Sequence, residues 1–156
     1  MPTKSQFDEI DIEILRLLQG DGRMTNVDLA KRIGLSPPSA LQRVRNLEQR
    51  GFISGYVALL NPNRLGKSIT VFVLVSLALH QEQPIERFRK NIQEIPEVVE
   101  CYHVSGEFDF LLKVLVPDIP AYEMLIREQI SKIQGIQQLK SSFVLAEPKH
   151  TTQIPL

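Results

Sequence analysis

Apolar residues in the first fifty positions recur at helical spacing in three short blocks, each closed by a breaker. Ile10, Ile14, Leu17 and Leu18 form one stripe. Asp8 and Asp11 open it by capping free amides, and Gly20 with Gly22 ends it. Thr25 and Asp28 repeat the opening signal, Leu29, Ala30 and Ile33 supply an inner face, and Gly34 stops the second helix. Ser36 then caps a third helix with Pro37 at its first position, where the missing N–H costs nothing. On it Ala40, Leu41, Val44 and Leu47 share one face. Ser39, Gln42, Arg43, Asn46, Gln49 and Arg50 share the opposite one, with Arg45 at the boundary. Ala30 is small where two helices must cross closely, so Asn26 to Arg50 reads as helix, turn, helix. The polar face of the third helix holds no carboxylate. It is either an ordinary solvated face or one that meets phosphates and base edges.

Beyond Gly51 the period changes. Phe52 to Leu60 is β-prone without a helical stripe, which fits a reduced wing or a strand entering a hinge. Asn61-Pro62-Asn63 and Gly66-Lys67-Ser68 are turn chemistry, and the domain boundary falls between them. The expected division is a helix-turn-helix domain over 1–60, a linker over 61–68 and a second domain over 69–156. Strands are expected at Ile69–Leu79, Val98–Ser105, Phe108–Val116 and Ile136–Glu147, with helices at Ile85–Ile95 and Ala121–Ile133. The order β-α-β-β-α-β is the ferredoxin-like plan, and the chain as a whole is of the α+β class. That plan covers one sheet face with helices. Yet Phe72, Leu74, Leu111 and Leu115 put apolar groups on the other face, which predicts that sheets of two subunits pack together.

Composition changes this picture only locally. The chain of 156 residues is 43% hydrophobic and 23% charged, a globular mixture. Its longest apolar run, Val71 to Leu79, is too short to span a bilayer, no signal peptide opens the chain, and the single Cys101 suits a reducing cytoplasm. The 18 basic and 18 acidic residues balance. Between Arg23 and Arg50, however, six basic residues face two acidic ones, a local excess of four positive charges. This favours a polyanion at the N-terminal end, bound by several copies acting together.

The runs TNVDLAKRIGLSP and LQRVRNLEQRGFISGYVALLNP, followed by a βαββαβ domain containing VSGEFDFLLKV, resemble the Lrp/AsnC, or feast/famine, transcription regulators. The likeness runs from about Asp8 to the final strand, and the SGEFDFLLKV turn with the VPD after it is closest to the leucine-responsive branch. The resemblance implies a regulator of double-stranded DNA whose second domain senses an amino acid, leucine or another apolar one, and assembles dimers that commonly join into octamers. Pro38 departs from it, since a second consecutive proline stiffens the helix start.

The chemistry follows from the side chains. The third helix would enter the major groove N-terminus first, with Ser36, Ser39 and the free amides of that helix end at the phosphates and Pro37 among the DNA-binding positions. Gln42, Arg43 and Asn46 would reach base edges, while Arg32, Arg45 and Arg50 touch the backbone and Asn26 belongs to the same motif. An amino acid needs an acceptor for its ammonium, amides for its carboxylate and an apolar slot. The turn at Gly106 exposes amides and Asp109 supplies an acceptor, although a glycine turn followed by Asp also serves as a plain hairpin tie. By the resemblance His103, Ser105, Gly106 and Asp109 form the effector site, with Phe143 and Val144 as neighbours. An enzyme is not expected: His80, His103 and His150 lack metal spacing, no glycine-rich phosphate loop is present, and Cys101 reads as a buried structural thiol. No metal or cofactor is called for. The remaining rival is an assembly protein whose helix-turn-helix serves a protein partner, which a gel-shift on its own upstream DNA would separate.

Overall fold

Helix α1 spans Glu9–Gly20, and it starts where it does because Asp8 and Asp11 close a reciprocal capping box. Asp8 accepts from the Asp11 amide at 2.9 Å, and Asp11 from the Asp8 amide at 3.4 Å. Helix α2, Asn26–Ile33, is capped by Thr25 and ends on Gly34, whose φ of 68° is the left-handed geometry that lets the chain reverse into the next helix. Helix α3, Pro37–Gln49, is capped by Ser36. The three helices enclose a small core of Ile14, Leu29 and Leu47, with Ala30 and Ala40 also fully buried. The computed structural model describes residues 8–78 and 82–156. Met1 to Gln6, Leu79 and His80 lie outside the described residues.

The second unit is built on a four-stranded antiparallel sheet. Its strands are β1 (Ile69–Leu77), β2 (Val98–His103), β3 (Phe110–Val116) and β4 (Ile136–Phe143), in the order β2-β3-β1-β4. Helices α4 (Glu82–Gln93) and α5 (Ile119–Glu128) follow β1 and β3. Val71, Val73, Val75 and Leu77 of β1 and Phe110, Leu112, Val114 and Val116 of β3 form one buried face with Phe88, Ile92, Tyr122 and Leu125 of the helices. This is the expected ferredoxin-like architecture. Two strands are shorter than periodicity suggests, β4 ending at Phe143 and β3 beginning only at Phe110, although single backbone bonds from Val144 to Thr70 and from Asp109 to Val75 continue past these ends. Phe72, Leu74, Leu111 and Leu115 on the opposite face are only half-buried.

The chain divides into a first unit, residues up to Leu59 together with Lys149–Leu156, and a second, Leu60–Pro148. The last eight residues thus group with the three helices, although they follow the sheet in sequence. Gln19 holds them: its side-chain amide donates to the Ile154 carbonyl at 2.9 Å and accepts from the Ile154 N–H at 2.9 Å. That amide imitates a neighbouring strand. Phe52 to Leu60 forms no strand, and Tyr56 within it donates to Glu48 at 3.0 Å, with burial and that carboxylate pushing its phenol up to about 12. No helix among the described residues is long and apolar enough to cross a membrane.

Candidate DNA interface and effector turn

The start of α3 is held by polar ties. The Ser36 hydroxyl accepts from the Ser39 amide at 3.4 Å and meets the Ser39 hydroxyl at 2.9 Å. Asn26, half-buried at the first turn of α2, donates to the Pro37 carbonyl at 2.7 Å, so it fixes the two helix starts against each other. Pro37, Pro38 and Ser39 are exposed around this helix end, but the two prolines carry no N–H and the Ser39 amide is taken by Ser36, so the end offers the hydroxyls of Ser36 and Ser39 and not the free amides expected there. Along the helix Gln42, Arg45 and Asn46 are exposed, and the Gln42 amide donates to Asn46 at 3.0 Å. Arg32 and Arg45 stand exposed with no ion pair among the described residues. Arg50 lies over the Phe52 ring, 4.8 Å from its centroid.

Arg43 is placed differently. Its guanidinium donates to both carboxylate oxygens of Asp8 at 2.9 and 2.8 Å and to Asp11 at 2.8 Å. The Asp11 amide and the Arg43 guanidinium hold the Asp8 carboxyl below its ordinary value, and the two carboxylates push Arg43 up in turn. A finer reading of the helical wheel carries the signal for this. At about 100° per residue, Arg43 falls about 40° from Leu47, at the flank of the buried face, while Leu41 falls about 120° from it. Leu41 is accordingly 38% exposed, not sealed with Ala40 and Leu47.

In the second unit the turn after β2 is built around Gly106, whose φ of 122° is a backbone that side chains with a Cβ avoid. Ser105, Gly106 and Glu107 are exposed. Asp109 ties the turn to β1: its carboxylate accepts from the Leu77 amide at 2.7 Å, and its own amide donates to the Val75 carbonyl at 2.9 Å. The hairpin tie is therefore made. His103 stacks on Phe110 with ring centroids 4.8 Å apart and stands at the same end of the sheet. Phe143 and Val144 do not. Phe143 pairs with Val71, and the Val144 amide donates to Thr70, whereas the Gly106 turn meets β1 at Val75–Leu77. The two groups sit toward opposite ends of β1, about 20 Å apart at the rise of an extended chain. Cys101 corrects the expectation of a buried thiol. It is exposed on the edge strand β2, where only one side of the strand has a neighbour, although its sulfur is covered enough to push its titration up against the opposing effect of Arg89.

A family model described as "Winged helix-turn-helix DNA-binding" matches residues 7–54, and one described as "Lrp/AsnC ligand binding domain" matches 70–154. The chain belongs to the Lrp/AsnC family. The leucine-responsive regulatory protein of Escherichia coli K12 is 45% identical over 148 residues, covering 95% of this chain and 90% of that one. A transcriptional regulator of Neisseria meningitidis, solved as a complex with L-Met, superposes with a TM-score of 0.92 at 38% identity, over 96% of each chain. A feast or famine regulatory protein of M. tuberculosis, complexed with L-methionine, does so at 0.85 and 33%, over 94% of this chain and 97% of that one. As an Lrp/AsnC protein the chain is a DNA-binding transcription regulator with an amino-acid-binding domain, and its family is not enzymatic.

Proposed function

We propose that this regulator binds an apolar amino acid between copies of its sheet unit, and that occupancy sets how many DNA-binding units act together. The observation that carries this is the separation of the effector residues along β1. His103, Ser105, Gly106 and Asp109 gather at one end, and Phe143 and Val144 at the other. A pocket using both groups needs a second copy to bring the apolar wall to the turn. Asp109 already spends one carboxylate oxygen on Leu77, so exposed amides at Ser105–Glu107 supply most of the fresh hydrogen bonding.

The half-buried apolar face of Phe72, Leu74, Leu111 and Leu115 supports a dimer beneath this assembly, and dimers joining at the turns would build the higher oligomer, an octamer by family likeness. Leucine and methionine are the first candidates, the relatives being a leucine-responsive protein and structures with L-methionine. In the first unit Gln42 and Asn46 read base edges, with Ser36, Ser39, Arg32, Arg45 and Arg50 on the backbone. Such a protein works where DNA is, in the cytoplasm. Linking units adds avidity without new contacts, and the coupling is reciprocal between effector and DNA. Calorimetry against the common amino acids, paired with native mass measurement, tests the reading. The expected result is binding of one or a few apolar amino acids with a change in oligomer mass. Unchanged mass and DNA affinity with every amino acid would sink it.

A further inference from the structure

We propose that Arg43 is a positioning residue that locks the rotation of the reading helix, and not itself a contact to DNA. Asn26 ties the start of α3 to α2 through the Pro37 carbonyl, and along the rest of the helix few contacts resist rotation. Only Ala40 and Leu47 on it are fully buried, and burial of small apolar groups is non-directional, so it permits a helix to roll. A roll of about 20° on a helix about 5–6 Å in radius moves a side-chain tip by about 2 Å. Productive contacts demand placement within about 0.5 Å, so such a roll would spoil base recognition.

Arg43 opposes the roll with hydrogen bonds to two carboxylates that are themselves immobile. Asp8 and Asp11 are locked to each other's backbone by the capping box at the start of α1. The Asp11 side chain is only 13% exposed and that of Arg43 32%, so part of the link lies away from water, where it is stronger. The charge count agrees. One guanidinium shared by two carboxylates leaves a cluster of net charge −1, which does not attract a phosphate. All three contacts run from the one nitrogen Nη1, shared among the carboxylate oxygens, and swinging the guanidinium out to DNA would break them and leave Asp11, a buried carboxylate, with only the Asp8 amide.

This rests on the reading that α3 meets DNA, and the experiment separates the two. The probes are the duplex bound best by the unaltered protein out of a random-sequence pool and a scrambled duplex of the same composition. The variants are Asp8→Asn, Arg43→Lys and Arg43→Ala, each measured below its own melting temperature. Asn caps a helix as well as Asp does, so Asp8→Asn takes away one of the two carboxylates that hold Arg43 and spares the cap. Removing a carboxylate should by electrostatics alone strengthen DNA binding. Positioning predicts the opposite sign: Asp8→Asn loses tenfold or more on the selected duplex, with binding to the scrambled duplex nearly unchanged. Arg43→Ala shows the same pattern and Arg43→Lys recovers part of it. The slope of log affinity against log salt stays that of the unaltered protein in all three. The inference is overturned if Arg43→Ala weakens both duplexes and flattens that slope by about 0.9, the mark of one lost phosphate contact, while Asp8→Asn does not weaken binding. It is equally overturned if the variants melt lower yet bind both duplexes as before, since the link would then serve stability alone. Should Arg43→Ala not fold, Asp8→Asn and Arg43→Lys decide the matter. Absence of selective binding by the unaltered protein would overturn the reading and the inference together.

Discussion

The two units solve opposite problems of burial. The three-helix unit has a small interior, Ile14, Leu29 and Leu47 with two alanines, and fixes its geometry by polar ties: Arg43 to Asp8 and Asp11, Asn26 to Pro37, Gln19 to Ile154. The sheet unit has a broad interior, fifteen buried residues among those described, and apolar side chains left over on its outer face. A surface that must be presented to a polyanion cannot spend much of its area on apolar packing, so directional bonds do the orienting. A surface that assembles copies of itself can carry the excess. The small unit therefore suits reading and the large one suits counting copies.

The comparison breaks most directly in the cores. Leu47→Ala and Leu112→Ala each remove a fully buried leucine, at a cost of about 2–5 kcal/mol. In the small core that loss is a larger share of the stability available, so Leu47→Ala is expected to melt the helical unit first while the sheet signal persists. Leu112→Ala should lower the sheet transition and leave a folded unit behind it. Circular dichroism at helix and sheet wavelengths, read through one melt, checks this. A single shared transition in both variants would show that the units do not fold separately.

The outer sheet face gives the next effect. Leu74→Asp puts a charge in the middle of the half-buried apolar patch without touching the helix-covered core. If the patch is a dimer contact, each protomer loses the burial of one leucine, about 1.5–3 kcal/mol, and must desolvate a carboxylate as well. Native mass should fall to the monomer at micromolar concentration, with the sheet unit's melting little changed. An unaltered mass places the dimer elsewhere.

Gly106→Ala is smaller and more local. Open space surrounds the position where a Cβ would sit, so no clash arises and the cost is that of the backbone at φ 122°, about 1–3 kcal/mol. The expected outcome is a slightly less stable sheet unit whose calorimetric response to the effector is lost while its dimer survives.

Much of this was legible beforehand, and what was not has a common physical cause. Helix starts at Asp8, Thr25 and Ser36 and the alternation in β1 and β3 are local, since caps and period act within a few residues. The role of Arg43 depends on a partner thirty-five residues away, and its charge disguises its place at the flank of the buried face. The separation of Phe143 from Gly106 follows from the strand order, which no local pattern encodes. Lys149–Leu156 has no period at all, so nothing in it announced Gln19 as its anchor.

The smallest effect concerns acid. Asp8 titrates below its ordinary value of about 3.9 when folded, held there by the Asp11 amide and the Arg43 guanidinium. A group depressed on folding contributes stability that is present above its unfolded value and is lost as pH falls through the folded one. The link between α1 and α3 should thus be intact from neutrality down to about pH 4 and weaken below it. Asp8 is 52% exposed, so solvent screens the link and the change in stability is modest. Melting of the helical unit in the unaltered protein and in Asp8→Asn, followed from pH 6 to pH 3, reads it out. The two curves should differ at pH 6 and converge in acid, because protonation of Asp8 and its replacement by Asn remove the same charge. Curves that stay parallel throughout would mean that Asp11 alone carries the ionic hold on Arg43.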